Sequence, residues 1–137
     1  MGVPSHSPQT ITSGDSLENI FQKIYSANVT SLNETLAMLD EASIRRAIEI
    51  LSAASHVYCF GHGGSMVMAM EAWARFSTAT PKFIHISDSH MQAMSTALAC
   101  EKDAILFFSY SGSTRDMEEV MKIAQKRKVP IILITHF

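Results

Sequence analysis

The chain has 137 residues, 47% hydrophobic and 18% charged, with a formal net charge of −2. That length and apolar content suit one globular domain with a real core, and the near-neutral balance carries no electrostatic signature of nucleic-acid binding. No apolar run approaches the ~20 residues that span a bilayer, and the N-terminus lacks the charged and apolar regions of a signal peptide, so a cytoplasmic protein without membrane contact is expected.

Residues 1–14 are rich in Ser, Pro, Thr and Gly without periodic apolar positions, and read as a flexible linker or remnant lead-in; Met1-Gly2 fits an expression remnant. Order is expected from Asp15, with Glu18 three residues later as a capping box. Leu17, Ile20, Phe21, Ile24, Leu32, Leu36 and Leu39 then recur at helical spacing, with a bend expected near Asn28-Val29-Thr30. Asp40 can cap a second helix carrying Ile44, Ala47, Ile48 and Leu51 on one face. These two helices either cover the sheet or form a subunit interface.

From residue 56 short apolar runs alternate with helical patterns. Val57-Tyr58-Cys59-Phe60, Phe83-Ile84-His85-Ile86, Ala104-Ile105-Leu106-Phe107-Phe108 and Ile131-Ile132-Leu133-Ile134 read as strands. Helices are expected over 66–78, over 90–99 (with Ser89 and Gln92 as a capping box) and over 114–128, the last with Met117, Val120, Met121 and Ala124 as its apolar face. Met66, Met70 and Trp73 form a stripe that reads as core or dimer contact. The one dense basic cluster, Lys126-Arg127-Lys128, ends a predicted helix, where cations are favourable for dipole reasons alone. Cys59 in a strand and Cys100 near a helix end read as reduced structural thiols. The six histidines show no HxxxH or CxxC-type spacing, so neither a metal nor a cofactor is expected.

Strands that are apolar throughout and alternate with helices indicate an α/β fold: a three-layer αβα, flavodoxin-like parallel sheet in the order 2-1-3-4, preceded by two helices. Right-handed crossovers place the strand-to-helix turns on one edge, and ligands bind there at the switch in strand order. The strand after residue 130 has no following helix, so a truncated domain lacking a fifth strand and last helix is expected. Two turns after the first and third strands, Gly61-His62-Gly63-Gly64-Ser65 and Ser109-Tyr110-Ser111-Gly112-Ser113-Thr114, concentrate glycines and hydroxyls. Outward N–H groups, helix dipoles and hydroxyl donors at such turns suit a phosphate.

A dinucleotide fingerprint fails, because Met66 occupies the third glycine position and Asp88 lies 27 residues beyond Gly61 rather than ~20. No GxxxxGK[ST] is present. The residues instead resemble the sugar isomerase (SIS) domain family over about 45–137, with Gly61, Gly63 and Ser65 matching GxGxS, and Ser109, Ser111, Gly112 and Thr114 matching SxSGxT. The resemblance implies a phosphosugar ligand. Ser109, Ser111 and Thr114 would donate hydroxyls, N–H groups around Gly112 and Ser113 would complete the nest beside Tyr110, Ser65 would reach phosphate or sugar, and Gly63 and Gly64 would permit close approach.

Ser87-Asp88-Ser89-His90 and the run Ser109 to Asp116 resemble the sugar-sensing domain of RpiR-type transcriptional regulators. That branch implies a homodimer or tetramer, with DNA contacted only through an N-terminal helix-turn-helix domain absent from this chain. His90 is a candidate for a sugar hydroxyl, with an exposed first-turn histidine as the alternative; His62 and Arg115 are secondary candidates. Aldose–ketose isomerisation, the alternative function, needs a general base. Glu71 is available, but position 75 is Arg75 rather than an acid. Binding without catalytic residues is therefore the expected function.

Overall fold

A computed structural model describes residues 10–112 and 115–136. The elements are α1 (Leu17–Met38), α2 (Glu41–Ala53), β1 (Val57–Gly61), α3 (Ser65–Ser77), β2 (Phe83–His85), α4 (Ser89–Leu98), β3 (Ala104–Ser109), α5 (Arg115–Arg127) and β4 (Ile131–Thr135). The chain divides into two compact units, Met1–Ile44 and Arg45–Phe137.

In the first unit the helix start differs from expectation. Ser16, not Asp15, is the N-cap: its hydroxyl accepts the Asn19 N–H at 3.2 Å. The Asp15 carboxylate instead accepts from Lys23 Nζ at 2.7 Å and from the Thr12 N–H at 2.8 Å. α1 runs through Asn28-Val29-Thr30 as one unbroken helix. Weak propensity alone does not kink a helix; that takes a proline, a π-bulge or an inserted group. None of the α1 residues is buried. Asp40 caps α2 as expected, accepting the Ser43 N–H at 2.8 Å.

The second unit is a parallel sheet in the order β2-β1-β3-β4. Side chains alternate across it with a period of two. Val57 and Cys59 of β1 join Ala104 and Leu106 of β3 on one face, against Ala69 of α3 and the end of α2 through Ile50 and Leu51. Phe60, Ile105 and Phe107 take the other face, against Met117, Val120 and Ala124 of α5. Phe60 and Phe107 meet edge to face, with ring centroids 6.2 Å apart. Strands buried on both faces cannot alternate polar with apolar, which is why these runs are apolar throughout.

Several helix faces depart from expectation. Met121 is exposed, and of the Met66, Met70 and Trp73 stripe, expected as core or dimer contact, Met70 and Trp73 remain 44% and 38% exposed, while Ala69 is the buried residue of α3. A helix resting on a flat sheet needs small residues at the closest approach, so alanine wins that position. At the end of α5, Lys128 takes φ 58°, and the N–H groups of Lys128 and Val129 donate to Gln125 and Ala124. That is a Schellman stop with lysine in the left-handed position.

Cys59 is buried, and desolvation pushes its thiol up to about 11, which makes it inert; Cys100 is exposed. At the opposite sheet edge from the two turns, Asp103 accepts from His56 Nδ1 at 3.0 Å and from the Cys100 N–H at 3.0 Å. Burial raises the Asp103 carboxyl, but these bonds outweigh it and hold the group below its usual value. A carboxylate depressed in the folded state contributes stability above its unfolded value near 3.8, lost as pH falls through the lower folded value. Acid titration of unfolding should therefore show a loss below pH ~4 that Asp103→Asn flattens, and Asp103→Ala should cost about 1–3 kcal/mol at neutral pH.

Candidate functional site

The register sets Gly61 of β1 beside Phe108 of β3, and Ser109 beside Thr135 of β4. The two turns therefore leave the sheet side by side at its switch point. Gly61 is there for space: a Cβ would lie 2.4 Å from the Ser65 carbonyl oxygen, so only glycine lets α3 start this close to β1. Gly63 holds φ 55°, the left-handed conformation that reverses the chain. Gly64 has neither reason. Its backbone is helical at φ −62°, and a Cβ there would meet nothing within 4 Å.

Ser65 ties the two turns together, since its Oγ accepts the Tyr110 N–H at 3.2 Å. Ser109 is buried, and its Oγ accepts the Gly112 N–H at 3.0 Å, closing the second turn on itself. A serine hydroxyl has one proton and two acceptor sites. Each of the two hydroxyls accepts one backbone N–H and keeps its own proton for donation. The Gly112 N–H, expected to point at the ligand, is thereby engaged by Ser109. Gly112 takes φ 68°, and a Cβ on it would stand 3.0 Å from Thr135 Oγ1.

Between the turns lies an open cavity of about 500 Å³. His62, Gly64 and Ser65 line it from the first turn, and Ser109, Tyr110 and Ser111 from the second, with Phe107, Phe108 and Met68 as apolar lining. Among the described residues that line it, none is Asp, Glu, Lys or Arg. Tyr110 is exposed and stacks on His136 at 4.9 Å.

Gln92 reaches this site unannounced. The cap of α4 is Asp88, whose carboxylate accepts the Met91 N–H at 2.8 Å, so the expected Ser89–Gln92 capping box is not formed. Gln92 is instead fully buried; its amide donates to the Ile86 carbonyl at 2.8 Å, and its Oε1 meets His62 Nε2 at 2.7 Å. The signal available in the sequence was two polar residues, Gln92 and Thr96, on the buried face of α4.

The structure thus brings Gly64, Ser65, Ser109, Tyr110 and Ser111 to one cavity, with Gly63 and Gly112 shaping its turns. His90 is exposed in the first turn of α4 and is not among the lining residues, and Arg115 is exposed at the start of α5. Ser113 and Thr114 lie outside the described residues. Glu71 is paired with Arg75 at 2.6 Å on the exposed side of α3. No group of three or more His, Cys, Asp or Glu among the described residues could hold a metal ion. No helix there is long and apolar enough to cross a membrane.

A parallel αβα sheet with a hydroxyl-lined, uncharged crevice at its switch point defines an α/β ligand-binding domain of the doubly wound class. Residues 50–137 match the SIS domain family, and the chain belongs to it. It is 29% identical over 127 residues, 93% of this chain and 45% of the relative, to the HTH-type transcriptional regulator HexR of Pseudomonas aeruginosa. The Vibrio vulnificus NanR protein complexed with ManNAc-6P superposes with a TM-score of 0.82 at 28% identity, over 91% of this chain and 46% of that one. The sugar isomerase domain of an RpiR transcription factor from Sphaerobacter thermophilus shares the fold, with a TM-score of 0.79 at 20% identity over 86% of this chain and 66% of that one. The chain spans less than half the length of the curated regulators it matches.

Proposed function

We propose that this is the phosphosugar-binding effector domain of an RpiR-type transcriptional regulator of sugar metabolism, which senses its ligand without converting it. The observation that carries the reading is the pair Ser65 and Ser109, whose hydroxyls each accept one backbone N–H, from Tyr110 and Gly112, and each keep a proton that an anion can accept. The HTH-type regulators among its relatives, and NanR with ManNAc-6P, support the same reading. Ser111 and Tyr110 extend the phosphate cradle, while Gly63 and Gly64 leave room for the sugar. DNA is contacted by a helix-turn-helix domain elsewhere in the longer protein, in the cytoplasm. Exposed Leu17, Phe21, Leu32 and Leu36 on α1 supply the apolar surface for a homodimer.

Sensing is favoured over isomerisation because no carboxylate is among the described residues lining the cavity and Glu71 is held by Arg75. Incubating the protein with aldose and ketose 6-phosphates should raise its Tm while NMR shows the sugars unchanged. Interconversion at enzymatic rates would replace this reading with an isomerase.

A further inference from the structure

The cavity poses an electrostatic problem. A phosphate monoester carries close to two negative charges near neutral pH, yet no described lining residue has a permanent positive charge. One lining side chain can acquire one. An imidazole changes charge between pH 5 and 8, and His62 lines the cavity.

The surroundings of His62 set where its protons go. The Gln92 amide NH2 donates to the Ile86 carbonyl at 2.8 Å and lies 3.4 Å from the Gly61 carbonyl, which turns Oε1 toward the ring. That oxygen only accepts hydrogen bonds, so Nε2, at 2.7 Å, must be the donor. The neutral ring therefore carries its proton on Nε2 and a bare lone pair on Nδ1. His62 Nδ1 is buried and has no hydrogen-bond partner, one of two such side-chain atoms among the described residues. A second proton can join Nδ1 without disturbing the bond to Gln92.

The groups packed against the ring are uncharged: the Gln92 amide from α4 and the Phe107 ring from β3, at 5.3 Å. Ser65 and Met68 line the cavity from α3. The other titratable groups nearby are Tyr110 on the second turn, His136 stacked on it, and exposed His90 at the start of α4.

We infer that His62 is the charge-matching residue of the site: neutral in the empty protein, it takes a proton from solvent onto Nδ1 when a phosphorylated ligand binds, with Gln92 as the positioning residue that keeps Nε2–H in place throughout. The inference rests on the phosphosugar reading. It makes ligand binding proton-linked, so affinity falls as pH rises above neutrality.

The test is ring ¹⁵N NMR of histidine-labelled protein at pH 7.5, where the second ionisation of a phosphate monoester (~6) is nearly complete, titrated with ManNAc-6P and separately with sulfate. In the free protein the His62 signals, assigned by their loss in His62→Gln, should show a protonated Nε2 and a bare Nδ1. At saturation Nδ1 should move into the N–H range. Calorimetry in two buffers of different ionisation enthalpy should then find net proton uptake approaching one per ligand, abolished by His62→Gln and retained by His136→Gln. In Gln92→Glu the carboxylate's negative charge should hold His62 in its solvent-protonated, cationic form before ligand arrives, removing the uptake. Saturable binding with Nδ1 still bare, or a free protein with the proton on Nδ1, overturns this inference and leaves the phosphosugar reading standing. No binding of either anion overturns both.

Discussion

Gly61→Ala is expected to destabilise the domain by about 3 kcal/mol, with a fall in Tm of roughly 10 °C, whereas Gly64→Ala should fold as the wild type does. The two glycines lie three residues apart in one turn but answer to different demands. A Cβ on Gly61 would overlap the Ser65 carbonyl oxygen at 2.4 Å and the Met66 nitrogen at 3.0 Å. Both are backbone atoms, so relief requires moving the start of α3 away from β1, and with it the Ser65 hydroxyl that accepts from Tyr110. At Gly64 the added methyl points into open space at an ordinary helical φ, so it meets no steric obstacle. Gly64 lines the cavity, so its methyl should weaken ManNAc-6P or another bound sugar phosphate about tenfold, a loss of ~1.4 kcal/mol of binding. Thermal unfolding and calorimetric titration of both variants separate the effects. A destabilised Gly64→Ala variant, or one that binds normally, would contradict the assignment of that space to ligand.

Removing the Ser65 and Ser109 hydroxyls should have the largest effect on binding. Hydrogen bonds to a charged group are worth about 1.5–3 kcal/mol, so Ser65→Ala and Ser109→Ala should each weaken a sugar phosphate by roughly ten- to a hundredfold. Ser109→Ala carries a further cost, because it strands the Gly112 N–H and loosens a turn whose φ of 68° is already specialised. Ser65→Ala uncouples the turns by releasing the Tyr110 N–H. Since each hydroxyl also braces the turn that carries the other's neighbours, the double variant should lose less than the sum, which a double-mutant cycle measures. Full additivity would mean that the turns act independently.

Much of this was legible before the fold was known. Four apolar runs without polar alternation read as strands of a parallel sheet, and right-handed crossovers then put the Gly61 and Ser109 turns on one edge, although β4 keeps Leu133 and Ile134 exposed. What stayed hidden depended on long-range partners. Gln92 stands three residues after Ser89, which locally reads as a cap, but its partner His62 lies 30 residues away and no spacing rule connects them. The Ser65–Tyr110 bond spans 45 residues in the same way. Asp15 and Ser16 are both competent caps, and the choice fell to Ser16 because Lys23 draws Asp15 elsewhere. The stripe of Met70 and Trp73 follows helical periodicity, yet small Ala69 takes the closest approach to the sheet.

The central claim is that the crevice between these turns holds a sugar phosphate and leaves it unchanged. Titration of the wild-type protein with ManNAc-6P and with glucose, fructose and glucosamine 6-phosphates, followed calorimetrically and by NMR of the sugars, tests it most directly. Saturable binding of at least one of them is expected, lost in Ser109→Ala, with no conversion of the bound sugar. Absence of binding at millimolar concentrations of all of them, or turnover of any, would contradict it.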